Sequence, residues 1–218
     1  MIMEEIASKN NSSIEHEHIK SNMTIVPEPV GALNSPLSSR VEVAIKEQPE
    51  FGVLRAKLLE HGGTLVVPPC GWDSDLQQYV IVGDPDLPAL VDHGCLMTGP
   101  VVCRSRGMES NRCHKNIARL WLQQRKKDAL IGIATGYSLD GGLWRQHSWG
   151  IRKDSLLETL GEREKYFGIR LEGVDADVFA FKALCKEERH WPLFKLEFVI
   201  SVLVELRRRI AIEAEPSV

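Results

Sequence analysis

The three residues Asp140-Gly141-Gly142 constrain this chain more than any others. Two adjacent glycines tolerate φ > 0, which a tight hairpin turn requires. The runs on either side, 129–139 and 143–151, carry Ile, Thr, Tyr and Trp and are predicted to pair as antiparallel strands. A third strand is expected over 156–160. Upstream, Ile117, Ala118, Leu120, Trp121 and Leu122 form an apolar stripe of helical period, with Arg119, Gln123, Gln124 and Lys126 largely off it. The pattern predicts an amphipathic helix over 113–127, with Ser110 or Asn111 as its N-cap. A helix followed by an antiparallel meander makes the fold class α+β, with further helices towards both termini.

Residues 1–39 are rich in Ser, Asn, Glu, Lys and Pro and show no sustained apolar period. They read as a loosely attached arm, and 40–218 as one domain. His16 and His18, flanking Glu17, read as solvated. The stretch 40–61 reads as helical and broken at Pro49, then stopped by Gly62-Gly63. Residues 64–67 and 78–82 are short strand candidates. The Gly, Pro and Asp clusters CGWDSD, GDPDLP and DHG read as loops. Past Gly161, the run EREKYFG reads as a short connection burying Tyr166 and Phe167. A helix is expected over 175–189. Trp191-Pro192 should open a last helix over 193–214.

The net charge of -3 gives no general pull towards nucleic acid or membrane. The basic runs Arg125-Lys126-Lys127 and Arg207-Arg208-Arg209 read as solvated helix ends. The apolar stretch 193–206 contains Lys195, Glu197 and Glu205 and is too short to span a bilayer. Five cysteines, Cys70, Cys95, Cys103, Cys113 and Cys185, are odd in number and widely spaced. That pattern argues against a disulfide framework and for a reducing, cytoplasmic setting.

Cys113 falls where the central helix begins. There free backbone N–H groups and the helix dipole favour a thiolate. His147 lies in a later strand, as a base that meets its nucleophile in space would. Glu158 follows on the next strand, and the turn between them decides whether they meet. A two-residue turn sets them directly opposite, and a four-residue turn makes them diagonal neighbours. Either puts both on one face, whereas a three-residue turn separates them. In this reading Cys113 attacks a carbonyl carbon, His147 moves the proton and Glu158 orients the imidazole. The Cys113 backbone N–H is the first oxyanion donor, with Asn111 or Gln146 as candidates for a second. Trp149 shares the His147 face and would wall the site. His114 should point away around the helix.

The pattern C-H-x-N at a helix start, then G-Y, H-S-W and E-T on successive strands, resembles the transglutaminase-like and papain-like cysteine enzymes. Cys113, His147 and Glu158 match the three positions of that pattern, with Thr159 beside the acid. Asn116, three residues past the cysteine, also resembles the arylamine N-acetyltransferases. Glu158 stands where the transglutaminase-like proteins usually have Asp, and Ser148 where they have Ala. The resemblance covers residues 110–168. It implies a papain-like core and thiol-dependent acyl chemistry without a cofactor: amide hydrolysis, glutamine deamidation or acyl transfer. The substrate would be a protein, a peptide or a small amide. Two rival readings are a zinc site drawn from Cys95, Cys103, Cys113, His114 and His147, and a non-catalytic interaction protein that keeps an enzyme-like core. No C-x-x-C supports the zinc site.

Overall fold

A computed structural model describes residues 37–73, 75, 77–124 and 130–213. The arm up to residue 36, with His16 and His18, lies outside the described residues, as does Arg125-Lys126-Lys127. The chain is α+β, with helices packed on one curled sheet. Helix α1 (Leu37–Glu47) begins inside the stretch expected to be arm, and α2 (Pro49–Glu60) follows after one residue. Gln48 separates them at φ -135, ψ 89. A residue before proline is pushed out of the helical region, and Pro49 then suits the first turn of α2.

The sheet contains β1 (Leu65–Val66), β4 (Cys95–Met97), β5 (Val101–Cys103), β6 (Gly132–Asp140), β7 (Leu143–Ile151), β8 (Leu156–Glu158) and β9 (Lys165–Leu171). Its order is β4-β9-β6-β7-β8-β5, with β1 added in parallel to β7. Strands β2 (Cys70–Asp73) and β3 (Gln78–Ile81) form a separate hairpin. The β6–β7 register runs from Gly132↔Ile151 to Asp140↔Leu143, closed by Gly141 and Gly142 at φ 57 and 78.

Cross-strand partners share a face, so this register sorts the side chains. The inner, concave face carries Ala134, Trp149, Ile151, Leu156 and Tyr166, packed together with Met97 and Val101. The outer face is covered by helices. Near the hairpin turn, Tyr137, Leu139 and Trp144 join Phe51, Leu54, Leu58 and Leu90 of α2 and α3 (Leu87–His93). At the other end, Ile133 and Leu157 pack on Ile117, Leu120 and Trp121 of α4 (Cys113–Gln124) and on α5 (Gly173–Leu184). Each fully buried large apolar side chain contributes about 1.5–3 kcal/mol. Trp121 Nε1 also donates to Asp177 Oδ1 at 2.8 Å. Gly150 makes this packing possible, because a Cβ there would lie 2.9 Å from the Ile117 side chain. Gly136 and Gly168 oppose each other; a Cβ on Gly168 would lie 2.4 Å from the Thr135 carbonyl oxygen and 2.9 Å from the Trp149 ring.

Several segments differ from the sequence reading. Residues 165–168, expected as part of a connection, fall in strand β9, which pairs with both β6 and β4. The GDPDLP and DHG clusters, read as loops, overlap the two ends of helix α3. Pro192 lies in a 3-10 helix (Glu188–Leu193), and α6 (Leu196–Glu213) starts after it. On α6, Arg208 and Arg209 pair with Glu205, and Arg209 also with Asp175. Among the described residues, no helix is long and apolar enough to cross a membrane.

Candidate active site

Cys113 is the first residue of α4 and is 8% exposed. The cap lies one residue later than expected. Asn111 is in a turn at φ 56, and Arg112 precedes the helix, its carbonyl accepting the Asn116 N–H at 2.8 Å. Asn116 is not part of the cleft. It is buried and clamps the preceding loop, accepting the Glu109 N–H at 3.0 Å and donating to the Glu109 carbonyl at 2.8 Å. Arg119 and Arg189 hold the Glu109 side chain at 3.2 and 3.1 Å. This clamp fixes the approach to the helix and with it the thiol.

His147 lies on the inner face of β7, opposite Gly136. The β7–β8 register, Gly150↔Leu157 and Ile151↔Leu156, leaves residues 152–155 as a four-residue turn. It is closed by the Arg152 N–H donating to the Ser155 carbonyl at 2.9 Å. The even count puts Glu158 on the His147 face as a diagonal neighbour. Diagonal neighbours sit further apart than direct partners, about 7–8 Å between backbones, and the longer reach of Glu over Asp suits that gap. His147 Nε2 and Glu158 Oε2 are 2.8 Å apart, and both residues are buried. Ladder pairing between β7 and β8 stops at Gly150, and the start of α4 meets β7 just beyond.

With Nε2 on Glu158, Nδ1 of His147 is left for the thiol, so one imidazole bridges the thiol and the carboxylate as a relay. Burial pushes the Cys113 thiol up. The hydrogen bond and charge of His147, with the Ser148 and His114 N–H groups, bring it below its ordinary value. Burial lowers His147, yet hydrogen bonds to Cys113 and Glu158 and both their charges raise it to about 9. Burial raises Glu158, but His147 and the backbone N–H groups of Leu160 and Thr159 bring it below the usual carboxylate range. Those N–H groups donate to Glu158 Oε1 at 2.9 and 2.7 Å. The arrangement therefore shifts the thiol and the carboxyl towards their anions and the imidazole towards its cation.

Tyr166 completes the carboxylate's shell. Its hydroxyl donates to Glu158 Oε2 at 3.2 Å and accepts the Arg163 N–H at 3.0 Å. Sequence reasoning treated Tyr166 as core, and only the β9 register, Ser138↔Tyr166, puts it on the inner face. Trp149 stacks on His147 with centroids 6.1 Å apart and meets Tyr166 in a tilted contact at 5.1 Å, so it walls the relay from the inside. A cleft of about 370 Å³ opens over the relay, lined by Asn111, Cys113, Ser138, Arg145, Gln146 and His147 among others.

On the outer face, His114 Nδ1 lies 2.6 Å from Ser148 Oγ and the ring packs near Phe179. Burial, then the charge of His147, lowers His114 to about 4. It points away from the relay, as the helical geometry suggested. Asp84, read from sequence as turn punctuation, is buried beside this row. It accepts the Tyr137 hydroxyl at 3.2 Å and the Asp86 N–H at 3.0 Å, and it also holds the Gln146 amide.

The structure thus brings together Cys113, His147 and Glu158, with Asn111, Gln146 and Trp149 around them, and leaves Asn116 out. The zinc reading lacks its ligands: among the described residues, no group of three or more His, Cys, Asp or Glu could hold a metal ion. Compared with known proteins, the chain matches no family model, no curated protein and no solved structure.

Proposed function

We propose that this protein performs thiol-dependent acyl chemistry through a covalent intermediate on Cys113, on a papain-like or transglutaminase-like core. The carrying observation is the buried hydrogen bond from His147 Nε2 to Glu158, with the thiol in contact with the same ring. The thiolate attacks the carbonyl carbon of an amide or ester, forming a C–S bond while the C=O electron pair moves to oxygen. The N–H groups at the start of α4 face that oxyanion. Gln146, its amide steadied by Asp84, is a better second donor than Asn111, whose side chain has no hydrogen-bond partner among the described residues. The intermediate collapses, the C–N or C–O bond breaks, and His147 gives its proton to the leaving amine or alcohol. Water or an amine then attacks the thioester, His147 takes its proton, and the thiol is regenerated.

Glu158 keeps the imidazole in the productive orientation and stabilises its charge. All five cysteines are free, which suits a nucleophile at work in a reducing compartment such as the cytoplasm. The test is intact mass after incubation with activated aryl ester and amide donors. One acyl adduct on the wild type, absent from Cys113→Ala, is the expected result. An identical adduct pattern in both proteins would refute the proposal.

A further inference from the structure

Two arginines line the cleft over Cys113, and they differ in how they are satisfied. Arg163 is held by Asp140, which neutralises its charge, yet its Nε is buried with no hydrogen-bond partner among the described residues. Arg145 has no ion pair or hydrogen bond among the described residues and is exposed at the cleft rim. It stands on the inner face of β7 two residues from His147, so the two backbones are about 7 Å apart along the strand. Arg163 is paired to Asp140, and the thiolate, imidazolium and buried Glu158 carboxylate together carry one negative charge, so the cleft as a whole is near neutral and Arg145 is its one unpaired cation among the described residues. A charge beside a concave, partly desolvated site concentrates anions there, and a guanidinium presents donors in a fork that matches a carboxylate.

The geometry points to an acyl donor that carries a carboxylate a few bonds from the reacting carbonyl, held by the unpaired guanidinium of Arg145 at the cleft rim. This inference rests on the acyl reading of Cys113 and adds the substrate's charge to it. A neutral substrate would leave the Arg145 guanidinium unpaired, so the cleft discriminates by charge as well as by the scissile bond.

Two alkylating probes of matched size test it: N-iodoacetylglycine, which ends in a carboxylate, and N-iodoacetylglycinamide, which ends in a neutral amide. In each, the Cys113 thiolate displaces iodide and forms a C–S bond. The rate at Cys113 is read by peptide mapping, with exposed Cys95 and Cys103 as internal references. After normalisation to those references, the anionic probe should react about fivefold faster or more. The His147 imidazolium also attracts anions, so the decisive reading is how the ratio of the two rates changes on substitution. Arg145→Gln should lower the ratio at least threefold, Arg145→Lys should retain most of it, and 1 M KCl should compress it in the wild type. An unchanged ratio in Arg145→Gln, or a wild-type preference for the neutral probe, overturns the inference while leaving the thiol chemistry standing. If neither probe modifies Cys113 ahead of the reference cysteines, the nucleophile itself fails, and this inference falls with it.

Discussion

The two faces of β7 hold two histidines in opposite states. His147, on the inner face, is raised to about 9, and His114, against the outer face, is lowered to about 4. His147 is buried and His114 half-buried, and burial lowers both, so burial alone cannot account for shifts in opposite directions. His147 meets a carboxylate and a thiolate, whose charges outweigh the cost of desolvating an imidazolium. His114 meets a hydroxyl and an aromatic ring, which supply nothing to offset that cost, and His147⁺ opposes a second charge nearby. Adjacent residues of one strand, His147 and Ser148, point to these two environments. The period-two alternation of a strand is what separates a reactive site from an inert one here.

The strongest way to break the contrast is to remove the inner ring. In His147→Ala, burial should dominate Cys113, and the thiol should titrate above its ordinary value. The alkylation rate at pH 6.5 should fall about 100-fold, since each pKa unit changes the thiolate fraction tenfold. Next comes Glu158→Gln, which keeps the shape and removes the charge. His147 should titrate well below 9 by NMR, and the alkylation rate at pH 6.5 should fall about tenfold. Chemical unfolding should show a loss of about 1–3 kcal/mol, because the Thr159 and Leu160 N–H groups and the imidazole lose a charged acceptor. Tyr166→Phe is milder. It removes one donor to Glu158 and the acceptor of the Arg163 N–H, and should cost about 0.5–1.5 kcal/mol with a small drop in rate.

The faces should also separate in pH. A raised histidine adds stability that is complete below its unfolded pKa and is lost as pH rises. The His147 contribution should therefore disappear between about 6.5 and about 9. A lowered histidine works in reverse: the unfolded chain takes up its proton first. Stability from a neutral His114 should be lost as pH falls from 6.5 to about 4. His114→Gln should flatten the acid limb of a stability-versus-pH curve, by at most about 1.4 kcal/mol per pH unit, and leave the alkaline limb in place. It is the smallest of these effects on Cys113 reactivity, which should change less than threefold.

The central hairpin and α4 were legible because their information is local. The Gly-Gly turn sets the β6–β7 register and a helical stripe sets the α4 face, whereas the length of the β7–β8 turn was open in the sequence and is four residues in the observed register. The rest depends on distant partners. Strand β5 is three residues long and pairs in parallel with β8, and β1 is two residues long and pairs in parallel with β7. Strands so short have little intrinsic preference and are fixed by the partner they meet. Tyr166 and Asp84 were missed for the same reason, since their roles arise from β9 joining β6 and from the α3 entry loop covering Tyr137. Asn116 carried a motif-level expectation, but its helical position turns it towards Glu109 and away from the cleft.

The claim that a thiolate–imidazolium pair forms at Cys113 and His147 is tested most directly by the pH dependence of iodoacetamide labelling, resolved cysteine by cysteine. The labelling rate at Cys113 should reach its first plateau well below pH 8, while Cys95 and Cys103 are still accelerating with rising pH. A Cys113 rate that follows the same rising curve as those exposed thiols, or lags behind it, would contradict the pairing.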